Sequence, residues 1–204
     1  MLVVGLTGNY GMGKSRILSL FEKLGAFALD SDKIVESLLC RTDILDKIRT
    51  LLGDDAFDKD GSLNKKMAAE LIFHDEMLRR SLEDILHPLV LERMRFLLKD
   101  REMENKVAVV EVPLLFERGY ETGFDRTVTV FTAPETALDR LEKKGVGRQD
   151  ALLRMGSQLP IEEKIRRSDF VIDNKGSIEE TEKQVNLLYK KLLREAEDEN
   201  NLRD

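Results

Sequence analysis

The sequence predicts an α/β fold: a five-stranded, mainly parallel sheet flanked by helices, with a helical lobe inserted into it. Three observations carry this reading. Five short apolar runs fall at 2–7, 26–29, 107–112, 128–131 and 170–172, each of a length that suits a buried strand. Stretches with the apolar spacing of helices separate them, and strands that alternate with helices form parallel sheets. The gap at 31–106 is helix-like almost throughout and far longer than one crossover needs, so it reads as an insertion.

The first run, Leu2 to Thr7, stops at Gly8. Ile17, Leu20, Phe21 and Leu24 then recur at helical spacing, and Gly25 ends that helix. The second run leads into Asp30-Ser31-Asp32. Within the long gap, the clearest break lies between Gly53 and Gly61. His87-Pro88 predicts a second interruption, because proline lacks an N–H and crowds the preceding helical turn. His74 has no motif around it and reads as a surface or capping residue. Pro113 halts the third run. After the fourth comes 138–167, rich in Arg, Lys and Glu and broken at Gly145, Gly147 and Pro160. The last helix is expected at 177–194, packing Ile178, Thr181, Val185, Leu188 and Leu192 on the sheet. Residues 195–204 are acidic and polar and read as a flexible tail.

The chain has 204 residues, which suits a single domain over 1–204 with a core and a small inserted lobe. Its net charge of −6 argues against nonspecific nucleic-acid binding, which wants a basic surface, yet leaves room for small anions in local pockets. Cys40 is the only cysteine, so neither an intrachain disulfide nor a Cys-rich zinc site can form. The N-terminus lacks a basic leader and no apolar run approaches a membrane span, so a cytoplasmic protein without membrane partners is expected.

Gly8-Asn9-Tyr10-Gly11-Met12-Gly13-Lys14-Ser15 fits the phosphate-loop pattern G-x-x-x-x-G-K-[ST] at every fixed position, and it lies between a predicted strand and a predicted helix. Glycines let backbone N–H groups close around phosphate oxygens, and the helix start adds its positive dipole end. Lys14 can reach the β- and γ-phosphates and the Ser15 hydroxyl can ligate Mg²⁺, while Asn9 to Gly13 and Arg16 line the nucleotide. The loop does not say which nucleotide is bound, or whether hydrolysis, transfer or mere binding follows. Strand ends in such sheets face the ligand crevice, which draws attention to Asp30 and Asp32. Asp32 can orient an acceptor hydroxyl and take its proton; a helix cap is the competing role, and it suits Asp30 better. Glu111, on the third run, either helps to hold Mg²⁺ through water or is simply a charge at a strand end.

The order of these pieces resembles the dephospho-CoA kinase family, a P-loop kinase fold. That family typically opens with a strand, a loop like GGIGSGKS and a strand ending in Asp-Ala-Asp; here stand GNYGMGKS and Asp30-Ser31-Asp32. Its Leu-His-Pro segment is matched by Leu86-His87-Pro88, and its Pro-Leu-Leu-Phe-Glu by Pro113 to Glu117. Its Arg-x3-Gln pair is matched by Arg154 and Gln158, and its closing Asp-Phe-Val-Ile-Asp-Asn-x-Gly by Asp169 to Gly176. The likeness spans about 2–193. It implies transfer of the ATP γ-phosphoryl group, with Mg²⁺, to the ribose 3′-hydroxyl of dephospho-CoA, giving coenzyme A and ADP. It further implies Asp32 as base, an acceptor lobe at 31–106 containing His87, acceptor contacts at Pro113, Leu114 and Leu115, and Asn174 and Gly176 beside the adenine. A structural hydrogen bond at the proline break is the alternative for His87.

Between the fourth and fifth strands such kinases carry a lid, which places one at 138–167. Arg140, Arg148, Arg154 and Lys164 concentrate there in an otherwise acidic chain; Arg140 and Arg148 are expected on phosphate, Arg154 on the lid itself beside Gln158. A solvated helical face is the alternative for each. Asn9-Tyr10, Met12 and Arg16 depart from the family's usual Gly-Ile, Ser and Thr; Asn tolerates positive φ, and the metal role needs only Ser15. Among rivals, a kinase with another small acceptor shares the loop and lid and is separated only by the remaining motifs. A GTPase would want Asp-x-x-Gly after a strand and Asn-Lys-x-Asp; Asp58 to Gly61 follows no strand, and Asn174-Lys175 is followed by Gly176-Ser177. Asp32 argues against a non-catalytic nucleotide sensor.

Overall fold

The computed structural model describes residues 1–101 and 104–201, with the side chains at 73, 74 and 199–201 outside the description. The surface or capping role expected for His74 therefore lies outside the described residues. The chain divides into two compact units, one of Met1–Asp30 with Asp100–Asp204, the other of Ser31–Lys99.

The first unit holds five strands, β1 (Leu2–Thr7), β2 (Phe27–Asp30), β3 (Val107–Glu111), β4 (Arg126–Phe131) and β5 (Phe170–Asp173). They pair in the order β2-β3-β1-β4-β5, and every pair is parallel. All five apolar runs of the sequence are thus strands. The register sets Glu111 opposite both Leu6 and Asp30, so β1, β2 and β3 end together. The central strands are buried on both faces, which is why they read as continuous apolar runs rather than alternating ones. On one face Val4, Leu6, Val107, Val109, Val128 and Val130 pack with Ile17 and Phe21 of α1 (Lys14–Lys23) and with Val185, Tyr189 and Leu192 of a C-terminal helix. On the other face Gly5 makes room for Phe124 and Leu115, whose nearest atoms a Cβ would meet at 3.1 and 3.2 Å.

Between β4 and β5 run α6 (Pro134–Glu142), α7 (Arg148–Gly156) and α8 (Ile161–Arg167). The C-terminal helix spans Ile178–Asn201, so it continues past 194, where the sequence suggests a tail. Its far end is tied to the N-terminal ends of β3 and β4: Arg126 pairs with Glu195 at 2.9 Å, Lys106 with Glu197 at 2.6 Å, and Ala196 is buried. Positions 202–204 of that expected tail lie outside the described residues. The buried stripe is Thr181, Val185, Tyr189, Leu192 and Ala196, whereas Ile178 in the first turn is 46% exposed.

The second unit is helical: α2 (Ser31–Leu38), α3 (Thr42–Leu52), α4 (Lys65–His74) and most of α5 (Glu76–Arg101). Ile44, Ile48 and Leu52 form a buried stripe at four-residue spacing along α3. The break between Gly53 and Gly61 is real, with a 3₁₀ turn at Asp54–Ala56 and an antiparallel bridge from Phe57 to Leu63. The interruption expected at His87-Pro88 is not: α5 runs through Pro88 as one helix. Proline removes a single bond from the ladder, and a helix of 26 residues retains enough others to continue. No helix among the described residues is long and apolar enough to cross a membrane. The C-terminal helix of the first unit is α9 (Ile178–Asn201).

Candidate active site

The phosphate loop joins β1 to α1, and its conformation explains its glycines. Gly13 has φ +93, and a Cβ there would stand 2.5 Å from Asn174 Nδ2. Gly8 at φ +147 lies so close to β4 that a Cβ would sit 2.4 Å from the Val130 carbonyl oxygen. Lys14 is buried at the start of α1, and its Nζ donates to the Asn9 carbonyl at 3.4 Å, within the loop it serves. The loop's departures from the family pattern have separate explanations. Met12 is a core residue whose Sδ accepts the Thr132 N–H at 3.1 Å. Arg16 lies on the exposed side of α1.

Ser15 Oγ donates to Glu111 Oε1 at 3.4 Å, so the hydroxyl and the carboxylate read as metal candidates come together. Asp30 stands beside Glu111 in the sheet register. Among the described residues no group of three His, Cys, Asp or Glu gathers to hold a metal by itself. Ser15 and Glu111 are nonetheless hard oxygen donors at the phosphate loop, and Mg²⁺ commonly takes one or two protein ligands and completes its shell with phosphate oxygens and water. The residues present therefore fit a magnesium ion that arrives with a nucleotide.

Asn174, just beyond β5, has both ends of its amide engaged. Nδ2 donates to the Met12 carbonyl at 2.9 Å, and Oδ1 accepts from Thr181 Oγ1 at 3.3 Å. Its own carbonyl accepts from Arg140 Nη2 at 3.1 Å and Thr132 Oγ1 at 3.1 Å. The residue expected beside the adenine thus braces the phosphate loop from below and holds an arginine next to it. That arginine borders the loop, since a Cβ on Gly13 would lie 3.6 Å from Arg140 Nη1. Arg148 behaves differently: half-exposed, it pairs with Glu135 at 2.5 Å and Glu142 at 3.6 Å on α6. Gly176 owes its place to a close approach, with Glu180 Oε2 accepting the Ser177 N–H at 2.8 Å and the Glu180 N–H returning to Ser177 Oγ at 3.2 Å. This is a capping box at the start of α9, and Ser177-x-x-Glu180 displays it in the sequence.

The outer limb of the loop is held by the α7–α8 connection. Tyr10 N–H donates to Gln158 Oε1 at 2.7 Å, Asn9 Nδ2 donates to the Leu159 carbonyl at 3.1 Å, and the Arg154 guanidinium lies 5.4 Å from the Tyr10 ring centre. Arg154 also pairs with Asp150 at 3.1 Å. The Arg-x3-Gln pair therefore grips the phosphate loop as well as its own segment. Lys164, grouped in the sequence with Arg140, Arg148 and Arg154, has no exposed side-chain surface; its ammonium pairs with Glu117 at 2.8 Å and donates to the Pro113 carbonyl at 3.2 Å. Burial pushes its pKa below the ordinary lysine value, and Glu117 pulls it back up. Pro113 also accepts from Thr7 Oγ1 at 3.2 Å. Leu115 is wholly buried, so its side chain packs the core, while Leu114 is half-buried. In the helical unit, Asp32 is exposed in the first turn of α2, and His87 is half-buried in α5.

Comparison with known proteins identifies the family of the chain. The family model for dephospho-CoA kinase matches residues 2–180. A dephospho-CoA kinase from Aquifex aeolicus is 36% identical over 193 residues, covering 94% of this chain and 98% of its own. One from Listeria innocua is 39% identical over 191 residues, covering 89% and 92%. A solved protein from Thermus thermophilus superposes with TM-score 0.81 at 30% identity, covering 94% of this chain and 97% of that one. With a matching family model over most of its length and a phosphate loop built to hold a nucleotide, the chain belongs to the dephospho-CoA kinase family.

Proposed function

We propose that the chain transfers the γ-phosphoryl group of ATP to the ribose 3′-hydroxyl of dephospho-CoA, with the following division of labour. The loop's N–H groups and Lys14 hold the β- and γ-phosphates, which fixes the leaving group and offsets its charge. Arg140, held beside Gly13 by the Asn174 carbonyl, stabilises negative charge spreading over the phosphoryl oxygens. Ser15 and Glu111 are the protein's ligands, direct or through water, for a Mg²⁺ ion that would neutralise phosphate charge. Asp32 takes the proton of the acceptor hydroxyl; it follows Asp30, the last residue of β2, by two positions. Residues 31–106, with His87, receive the acceptor, and 138–167 serve as a lid.

The observation that carries this reading is the convergence of Lys14, Ser15, Glu111 and Arg140 on one loop. Such a set suits transfer from a nucleoside triphosphate better than mere binding, because Arg140 and the Ser15–Glu111 pair supply charge where it develops. The test is to incubate the protein with ATP, Mg²⁺ and a panel of hydroxyl acceptors and to weigh the products. Dephospho-CoA is expected to gain one phosphoryl group. Efficient turnover of another acceptor, with dephospho-CoA untouched, overturns the reading.

A further inference from the structure

Lys164 carries its charge with no exposed side-chain surface, in a helix otherwise edged by solvated ions. Burying an ammonium is costly, and one carboxylate partner offsets that cost without necessarily exceeding it; an apolar pair of similar volume is often as stable. The use of the pair lies in what it holds in place. Lys164 Nζ reaches Glu117 Oε1 at 2.8 Å and the Pro113 carbonyl at 3.2 Å. Glu117 Oε1 also accepts the Leu159 N–H at 3.0 Å, and the Leu159 carbonyl accepts Asn9 Nδ2 at 3.1 Å. Pro113, at the other end, accepts from Thr7 Oγ1 at 3.2 Å. Next to Leu159, Gln158 takes the Tyr10 N–H at 2.7 Å. One buried cation thus sits at the root of contacts to Thr7, Asn9 and Tyr10, which flank and form the entry limb of the phosphate loop.

We infer that Lys164 is a positioning residue for phosphoryl transfer, fixing through Glu117 and Pro113 the shape in which the loop meets the nucleotide. It touches no substrate; it acts by keeping Leu159 and Pro113 where they restrain the loop. The inference rests on that loop being the ATP site. Misplacing reacting groups by about 1 Å can cost about 100-fold in rate, and a released loop also points its N–H groups less well at the phosphates.

The experiment uses the full-length protein. Lys164→Met keeps the length and volume and removes the charge. In folded protein, judged by circular dichroism, calorimetric titration should show about tenfold weaker ATP binding, the worth of about one lost hydrogen bond to the phosphates. The KM for ATP should rise while that for dephospho-CoA stays nearly unchanged. Asn9→Ala cuts the far end of the same chain of contacts, so the double variant should lose less than the sum of the two single losses. If Lys164→Met does not fold, Glu117→Gln replaces it in the same cycle, since it removes the counter-ion and keeps an acceptor for Leu159. A variant that melts earlier but binds ATP as tightly as the parent, or losses that add fully, reduces Lys164 to a core residue and overturns the inference. If the parent protein itself fails to bind ATP, the nucleotide reading falls and takes this inference with it.

Discussion

Lys14 shows how a single residue is prepared for its work. Its ammonium is already inside the loop and donates to Asn9 O at 3.4 Å, a long bond that phosphate oxygens can readily replace. Removing it should hurt the ground state and the transition state alike. Lys14→Ala is expected to weaken ATP binding by about 10- to 100-fold, the worth of a hydrogen bond to a charged group, and to slow transfer as well. Equilibrium titration beside single-turnover kinetics checks this, and unchanged values in both would remove Lys14 from the site. Asp32→Asn should act on chemistry alone: kcat falls about 10²- to 10⁴-fold while ATP binding survives. Near-normal kcat in a folded Asp32→Asn protein would pass the role to Asp30. The two arginines expected on phosphate should separate. Arg140 is fixed beside Gly13, whereas Arg148 pairs with Glu135 and Glu142 on the exposed face of α6. Arg140→Ala should lower kcat by more than it weakens ATP binding, and Arg148→Ala should leave both nearly intact; the reverse ranking would mean that their positions exchange in the working enzyme. The sequence singles out both arginines because it shows charge and spacing. It does not show which acidic neighbours have already claimed one of them.

At the scale of elements, strands were the most legible part of the chain. Each is an apolar run bounded by Gly, Pro or a polar residue, and in the central strands β1 and β3 burial on both faces leaves little else it could be. Helix limits are less legible, for two different reasons. The C-terminus of α9 carries acidic residues that look solvated in sequence, yet Arg126 and Lys106 from the sheet side meet Glu195 and Glu197. In α5 the difference has the opposite sign: a proline that looks like a break in sequence is absorbed into the helix. That absorption carries a penalty, since an interior proline is about 3 kcal/mol worse than alanine in a helix. Pro88→Ala should therefore stabilise the protein, by up to about 3 kcal/mol, read as a higher urea midpoint with unchanged m-value. Destabilisation instead would mean that α5 needs the irregularity Pro88 imposes.

For the whole molecule, a reader of the sequence can place the loop, its lysine and the segment that follows β4, but not the ties between them. Asn9 meets Leu159 across 150 positions and Tyr10 meets Gln158 across 148, and no local pattern encodes a contact of that span. These ties give the lid hypothesis a mechanical basis. The segment 138–167 begins in α6 with Leu138 and Leu141, against which Ala151 of α7 is buried. Between them Gly145 turns at φ +83 with open space where a Cβ would be. Beyond, α7 exposes Leu152 at 51% and Leu153 at 57% before Arg154 and Gln158 reach Tyr10. A segment anchored at both ends, with an open glycine turn and exposed apolar residues between, is suited to close when the loop it grips fills with phosphate. Closure would exclude water and strengthen the charges around the phosphoryl group. Trypsin offers a direct reading, because Lys143, Lys144 and Arg148 surround the Gly145 turn. Cleavage there should slow when ATP and dephospho-CoA are both present, and slow less with ATP alone. Peptide mass mapping would locate the cuts, and cleavage at equal rates with and without ligands would leave 138–167 as a fixed part of the fold rather than a lid.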